Sequence, residues 1–114
     1  MTHETLIGKM RRQRQVRADL AEGKSITLLR PPEAEFPSLA RGVTLDHVRR
    51  YAVGWDGFTE ADLLTSGGSD PVEFHVELVA ELLNDRADWL SKVSNRLIEA
   101  CNQRYEERKA ALGN

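Results

Sequence analysis

Asp70-Pro71-Val72-Glu73-Phe74-His75-Val76-Glu77-Leu78-Val79-Ala80-Glu81-Leu82-Leu83-Asn84-Asp85-Arg86-Ala87-Asp88-Trp89-Leu90 is the stretch from which a fold class is read. Asp70 reads as a helix N-cap, Pro71 suits the first turn, and Glu73 stands three residues on as a capping-box partner. Val72, Val76, Val79 and Leu83 form one stripe, with Phe74, Leu78 and Leu82 beside it and Glu73, Glu77 and Glu81 on another face. That spacing predicts an amphipathic helix over 71–84. Asn84-Asp85-Arg86-Ala87-Asp88 reads as a turn, with Asp85 and Asp88 as cap and box. A second helix is predicted over 86–111, because Leu90, Val93, Leu97, Cys101 and Tyr105 keep spacings of three and four, and Trp89, Ile98 and Ala100 widen the face. A short turn between two helices predicts that they pack antiparallel.

Upstream, the pattern weakens. Residues 53–70 contain Gly54-Trp55-Asp56-Gly57 and Gly67-Gly68-Ser69-Asp70, both rich in turn-forming residues. Between them the pair Thr59/Asp62 fits a capping box that opens a short helix. Trp55, flanked by glycines, either folds back over the helices or stands out as an anchor for a partner. Helix is expected from about 32 to 52, with Gly42 as a break and Thr44 as a restart. Ser25-Ile26-Thr27-Leu28-Leu29 reads as a brief extended segment, an edge piece or one that pairs with another copy. Glu4 to Ala21 is compatible with helix, with Gly23 as its stop. The expected fold is therefore mainly α: a small helical bundle with a C-terminal antiparallel helix pair and one short extended segment near 25–29. Residues 1–24 would be a basic arm or helix, and 25–114 the helical domain.

The chain has 114 residues, 40% of them hydrophobic and 30% charged, with a net charge of -2. That length allows one small domain. No run of about 20 apolar residues is present, so no membrane span is expected, and the N-terminus lacks a signal-peptide pattern. The single Cys101 cannot form an internal disulfide. The charge is uneven. Residues 1–30 hold seven Lys/Arg against three acids, 31–70 three against seven, and 71–114 six against eight. The basic excess is densest at Arg11, Arg12, Arg14 and Arg17, either an arm for nucleic acid or an acidic surface, or a solvated terminus.

No catalytic constellation can be assembled. His3, His47 and His75 are scattered, and no His/Cys/Asp/Glu set has metal-ligand spacing. Cys101 lies on the apolar stripe of the last predicted helix, where a small buried hydrophobe is expected. Gly67-Gly68-Ser69 lacks the preceding strand and following Gly-Lys-Ser/Thr of a phosphate loop. The expectation is a protein that is not an enzyme and uses no cofactor.

Three stretches together resemble the tail assembly chaperones of long-tailed bacteriophages and prophages. They are Ile26-Thr27-Leu28-Leu29-Arg30-Pro31-Pro32-Glu33-Ala34-Glu35, then Tyr51-Ala52-Val53-Gly54-Trp55-Asp56-Gly57-Phe58-Thr59-Glu60-Ala61-Asp62-Leu63-Leu64, and finally Asp70-Pro71-Val72-Glu73-Phe74 with the turn Asp85-Arg86-Ala87-Asp88-Trp89-Leu90. Ala87 stands where the family usually has proline. The likeness covers about residues 25–100. It implies a small helical protein of the host bacterial cytoplasm that binds the tape measure protein, helps recruit the major tail protein for tube polymerisation, and is absent from the finished virion. It also implies that a longer, frameshifted form accompanies the short one in many relatives.

Holding an apolar helical client requires an apolar face left over in the monomer. The last predicted helix outruns its neighbour by about ten residues, roughly 15 Å at the helical rise. That overhang is either a contact surface for a client or a second copy, or it is covered by helix 32–52. The candidate partner-binding residues are Trp55, Phe58, Leu97, Cys101 and Tyr105. The alternative function is a small helical nucleic-acid-binding protein of a phage, acting in packaging or regulation through 11–17, which phosphate contacts would make strongly salt-dependent.

Overall fold

The computed structural model describes residues Met1–Gly113, and its secondary structure corrects the mainly-α expectation. The chain is mixed α/β, 58% helical, with a three-stranded antiparallel sheet that accounts for 18%. Helix α1 (His3–Gln13) comes first, then strands β1 (Gln15–Ala21) and β2 (Lys24–Leu29). A 3-10 turn (Glu33–Glu35) leads into α2 (Phe36–Ala40) and α3 (Leu45–Tyr51). Strand β3 (Ala52–Asp56), α4 (Glu60–Leu63), α5 (Val76–Asn84) and α6 (Ala87–Leu112) complete the chain.

The sheet order is β1-β2-β3. The expected helix through residue 21 ends at Gln13, because Gln15–Ala21 alternates. Ala18 and Leu20 are buried, Val16 is half-buried, and Gln15, Arg17, Asp19 and Ala21 face out. That period of two is a strand's. Gly23, taken as a helix stop, instead makes the β1–β2 hairpin turn at φ +75°. The 25–29 segment is not an edge piece and needs no second copy to pair with. It is the central strand, with Ile26 opposite Ala18 on one side and Trp55 on the other.

The β3 strand replaces the front of the expected loop, and the Gly57 turn that follows is tied to the hairpin. Gly57 has φ +85°, and a Cβ there would collide with the Gly23 carbonyl oxygen. Only glycine fits both requirements. The interruption expected near 42 is present. Gly42 has φ +129°, and Thr44 caps α3 by accepting the His47 N–H. His47 is buried at the N-terminus of that helix. Its Nδ1 accepts the Thr44 N–H at 2.9 Å, which leaves Nε2 to donate to Ser38 Oγ at 2.9 Å.

The start expected at Pro71 moves to Val76. Pro71 pairs with Thr59 in an isolated antiparallel bridge, and the Val72 N–H donates to the Phe58 carbonyl, so this segment is extended. His75 is the cap, its Nδ1 accepting the Glu77 N–H. Helix α6 matches its predicted span closely. It lies chiefly on β1 rather than on α5, and α5 packs chiefly on α3. The core lies between sheet and helices, with Ile26, Leu28, Val48, Val79, Leu83, Val93 and Leu97 all fully buried.

Candidate functional site

Two exposed apolar regions stand apart from this core. The first is α1. Thr2 caps it, Glu4 sits in its first turn, and Arg11 and Arg12 sit in its last. Those placements complement the helix dipole. None of its residues is buried, yet Leu6, Ile7 and Met10 fall on one face at helical spacing and are about half exposed. The second is the end of α6. Every residue over 105–112 is exposed, Tyr105 and Leu112 among them. Eight residues are about 12 Å of helix, close to the overhang expected from the sequence. Helix 32–52 does not cover it. One ion pair, Arg108 to Glu33 at 2.6 Å, ties it to the chain after β2. A radius of gyration of 15.7 Å against about 13 Å for a compact chain of this length reflects these projections. Met10 shares a cavity with Arg104 and Glu107, so the C-terminal half of α1 lies beside the start of the α6 overhang.

The residues singled out from the sequence divide into three groups. Phe58 and Leu97 are core residues, 2% and 0% exposed, and Cys101 is buried on α6 beside Leu39 and Ile98, its thiol pushed up by burial and lowered only in part by Arg30. Trp55 is half-buried and folds back. It stacks on Phe58 with ring centroids 4.5 Å apart, meets Phe74 edge-on, and its Nε1 donates to the Val72 carbonyl at 2.9 Å. Tyr105 alone of the five is largely exposed. Phe58 also meets Trp89 edge-to-face, and the Arg86 guanidinium lies 3.7 Å over the Trp89 ring. The Gly-Trp-Asp-Gly stretch thus builds an aromatic wedge that fixes the chain entering α5.

The four arginines of the basic run do not share one surface. Arg11 and Arg12 end α1, Arg17 pairs with Asp19 on β1 at 3.0 Å, and Arg14 turns into a cavity between the hairpin and α6. Below the loop, Asp62 accepts from the Thr59 N–H at 2.8 Å and from Lys24 at 3.4 Å. Burial works against its ionisation, but the Thr59 and Lys24 contacts outweigh that and hold its carboxyl below the usual range. Among the described residues no group of three His, Cys, Asp or Glu side chains is placed to hold a metal ion. No described helix is long and apolar enough to cross a membrane.

The sequence pointed to the α6 overhang through the length difference between the two last helices. It did not point to α1, because Leu6, Met10, Val16 and Leu20 are too sparse and irregular for a clear apolar stripe. No family model matches the chain, and neither a curated protein nor a solved structure does.

Proposed function

We propose that this protein is a phage tail assembly chaperone of the host bacterial cytoplasm, whose client is the helix-forming tape measure protein. The observation that carries the proposal is a capped helix, α1, that buries nothing while presenting Leu6, Ile7 and Met10 on one face. An apolar stripe of that kind is the surface an amphipathic client helix takes up. The exposed end of α6, with Tyr105 and Leu112, offers further apolar surface, and its start lies beside Met10. The three stretches that resemble the tail chaperones supply the identity of the client. In this reading the aromatic wedge at Trp55 and the α3–α5 pair are scaffold, and the two projecting helices hold the client and hand it to the major tail protein.

The test is co-expression with a tape measure protein from the genome that encodes this chain. The soluble yield of the tape measure protein is expected to rise several-fold, and a complex of the two to elute together. No increase and no complex would end the reading.

A further inference from the structure

The hairpin and α6 together create a site at which three arginines converge. The register of β1 on β2 pairs Gln15 with Leu29 and Val16 with Leu28. Continued by one step it sets Arg14 opposite Arg30, and the Arg30 N–H donates to the Arg14 carbonyl at 2.7 Å. Arg14 is the C-cap of α1 and Arg30 follows β2, and both line one cavity with Val16 of β1 and Ala100 and Arg104 of α6. Along α6 the buried stripe runs Val93, Leu97, Ala100, and its next position in that spacing is Arg104. Where the core would continue with an apolar residue, a guanidinium arrives from each of three elements.

Two adjoining cavities, about 250 and 370 Å³ in volume, are lined in common by Gln13, Arg14, Arg30, Arg104 and Glu107. Glu107 is the only acid among these residues. The Nε of Arg104 is buried with no hydrogen-bond acceptor among the described residues. Arg30 satisfies one nitrogen on the Pro31 carbonyl at 2.6 Å and keeps the rest of its fork for the cavity. Burial, then repulsion from Arg104 and Arg14, lowers the Arg30 pKa from its ordinary value. Like charges gathered at this end of the hairpin repel one another, and an unpaired buried donor adds to that cost. An anion seated among the three would relieve both.

We propose that the cavity bounded by Arg14, Arg30 and Arg104 binds a doubly charged oxyanion of the phosphate class, free or as the terminal group of a phosphomonoester. Three guanidinium forks arriving from different elements match a tetrahedral anion with several oxygens. Arg96 also lines the first cavity but is paired with Glu99, and Glu33, which acts on Arg30, is paired with Arg108, which leaves three arginines against Glu107 and suits a dianion. No aromatic side chain lines either cavity, so the site selects the phosphate and not a base. The site adjoins the proposed client surface, since Met10 also lines the second cavity, but neither proposal rests on the other.

The experiment is thermal denaturation and calorimetric titration of the full chain in phosphate-free buffer, with sodium phosphate against sodium chloride at equal ionic strength. Phosphate is expected to raise the melting midpoint saturably above the chloride control. Arg104→Gln and Arg14→Gln are each expected to weaken binding about tenfold or more. Both variants are expected to melt no lower than the parent in phosphate-free buffer, because each removes a repulsive charge. Ribose 5-phosphate is the second probe. Tighter binding than inorganic phosphate assigns the site to an organic phosphate, and equal binding assigns it to the free ion. The proposal is overturned if phosphate gives no increment over chloride, if the increment survives in both variants, or if both variants unfold without phosphate. Binding of polyglutamate through the same arginines without binding of phosphate would overturn it as well.

Discussion

Helices α1 and α5 are similar in length, 11 and 9 residues, and both carry apolar residues at helical spacing. They differ in what those residues meet. Helix α5 buries Val79, Ala80, Leu82 and Leu83 against α3 and α6, whereas α1 buries nothing. A helix this short is marginal in water on its own. Helix α5 is therefore held by tertiary packing, and α1 by its Thr2 cap and by charges that suit its dipole. The lesson is that an amphipathic pattern announces a need for a partner without saying whether the partner is in the same chain. In α5 it is; in α1 no residue is buried against the rest of the described chain.

The comparison is tested most severely on the α5 side. Leu83 is fully buried between helices and sheet. Leu83→Ala is expected to cost about 2–5 kcal/mol, the range for truncating a core leucine. Urea denaturation measures it. A loss under about 1 kcal/mol would mean that α5 is no better anchored than α1, and the contrast would collapse.

A smaller effect concerns how α5 is entered. Its leading segment is extended and pinned by the Trp55 Nε1 on the Val72 carbonyl and by the stack on Phe58. Trp55→Ala removes a half-buried ring, one hydrogen bond and one aromatic pair, for an expected loss of about 2–3 kcal/mol. The same denaturation series checks it. A loss under about 1 kcal/mol accompanied by failure of the tape measure complex would instead make Trp55 an exposed anchor.

Much of this arrangement was legible before any coordinates. The Thr59/Asp62 box, the Gly42 break with the Thr44 restart, and the span of α6 are written in local chemistry that tertiary context did not override. The largest departure begins at β1. Val16 and Leu20 are four apart and fit a helix as well as a strand. Only Ala18 between them marks the period of two, and alanine is a weak marker. With β1 read as helix, Gly23 became a helix stop and β2 lost a neighbour. Gly54 and Gly57 made β3 look like loop, although one glycine sits inside the strand and the other in the turn that closes against Gly23. At 70–73 the Asp-Pro-x-Glu pattern was genuine capping chemistry, but the backbone there pairs with Thr59 and Phe58 instead. The arginine cavity was hidden by the same error, because Arg14 meets Arg30 only through the hairpin and meets Arg104 only through α6 packed on β1.

The smallest expected effect on stability carries the most functional weight. Leu6→Ser combined with Met10→Ser alters two half-exposed residues on a helix that buries nothing. Surface changes of this kind shift global stability by about 0.5 kcal/mol or less. Urea denaturation of the double variant should therefore overlay that of the parent, since unfolding of the core does not wait on α1. Capture of the tape measure protein should fall sharply, because the stripe that would receive its helix has become polar. The two measurements separate the two ways of being wrong. A stability loss above about 1.5 kcal/mol would show that α1 packs on the body after all and is a structural element like α5. Unchanged stability with unchanged capture would show that the client docks elsewhere, with the α6 end at Tyr105 and Leu112 next in line. Only a stable protein that no longer holds its client leaves α1 as the helix whose partner comes from another chain.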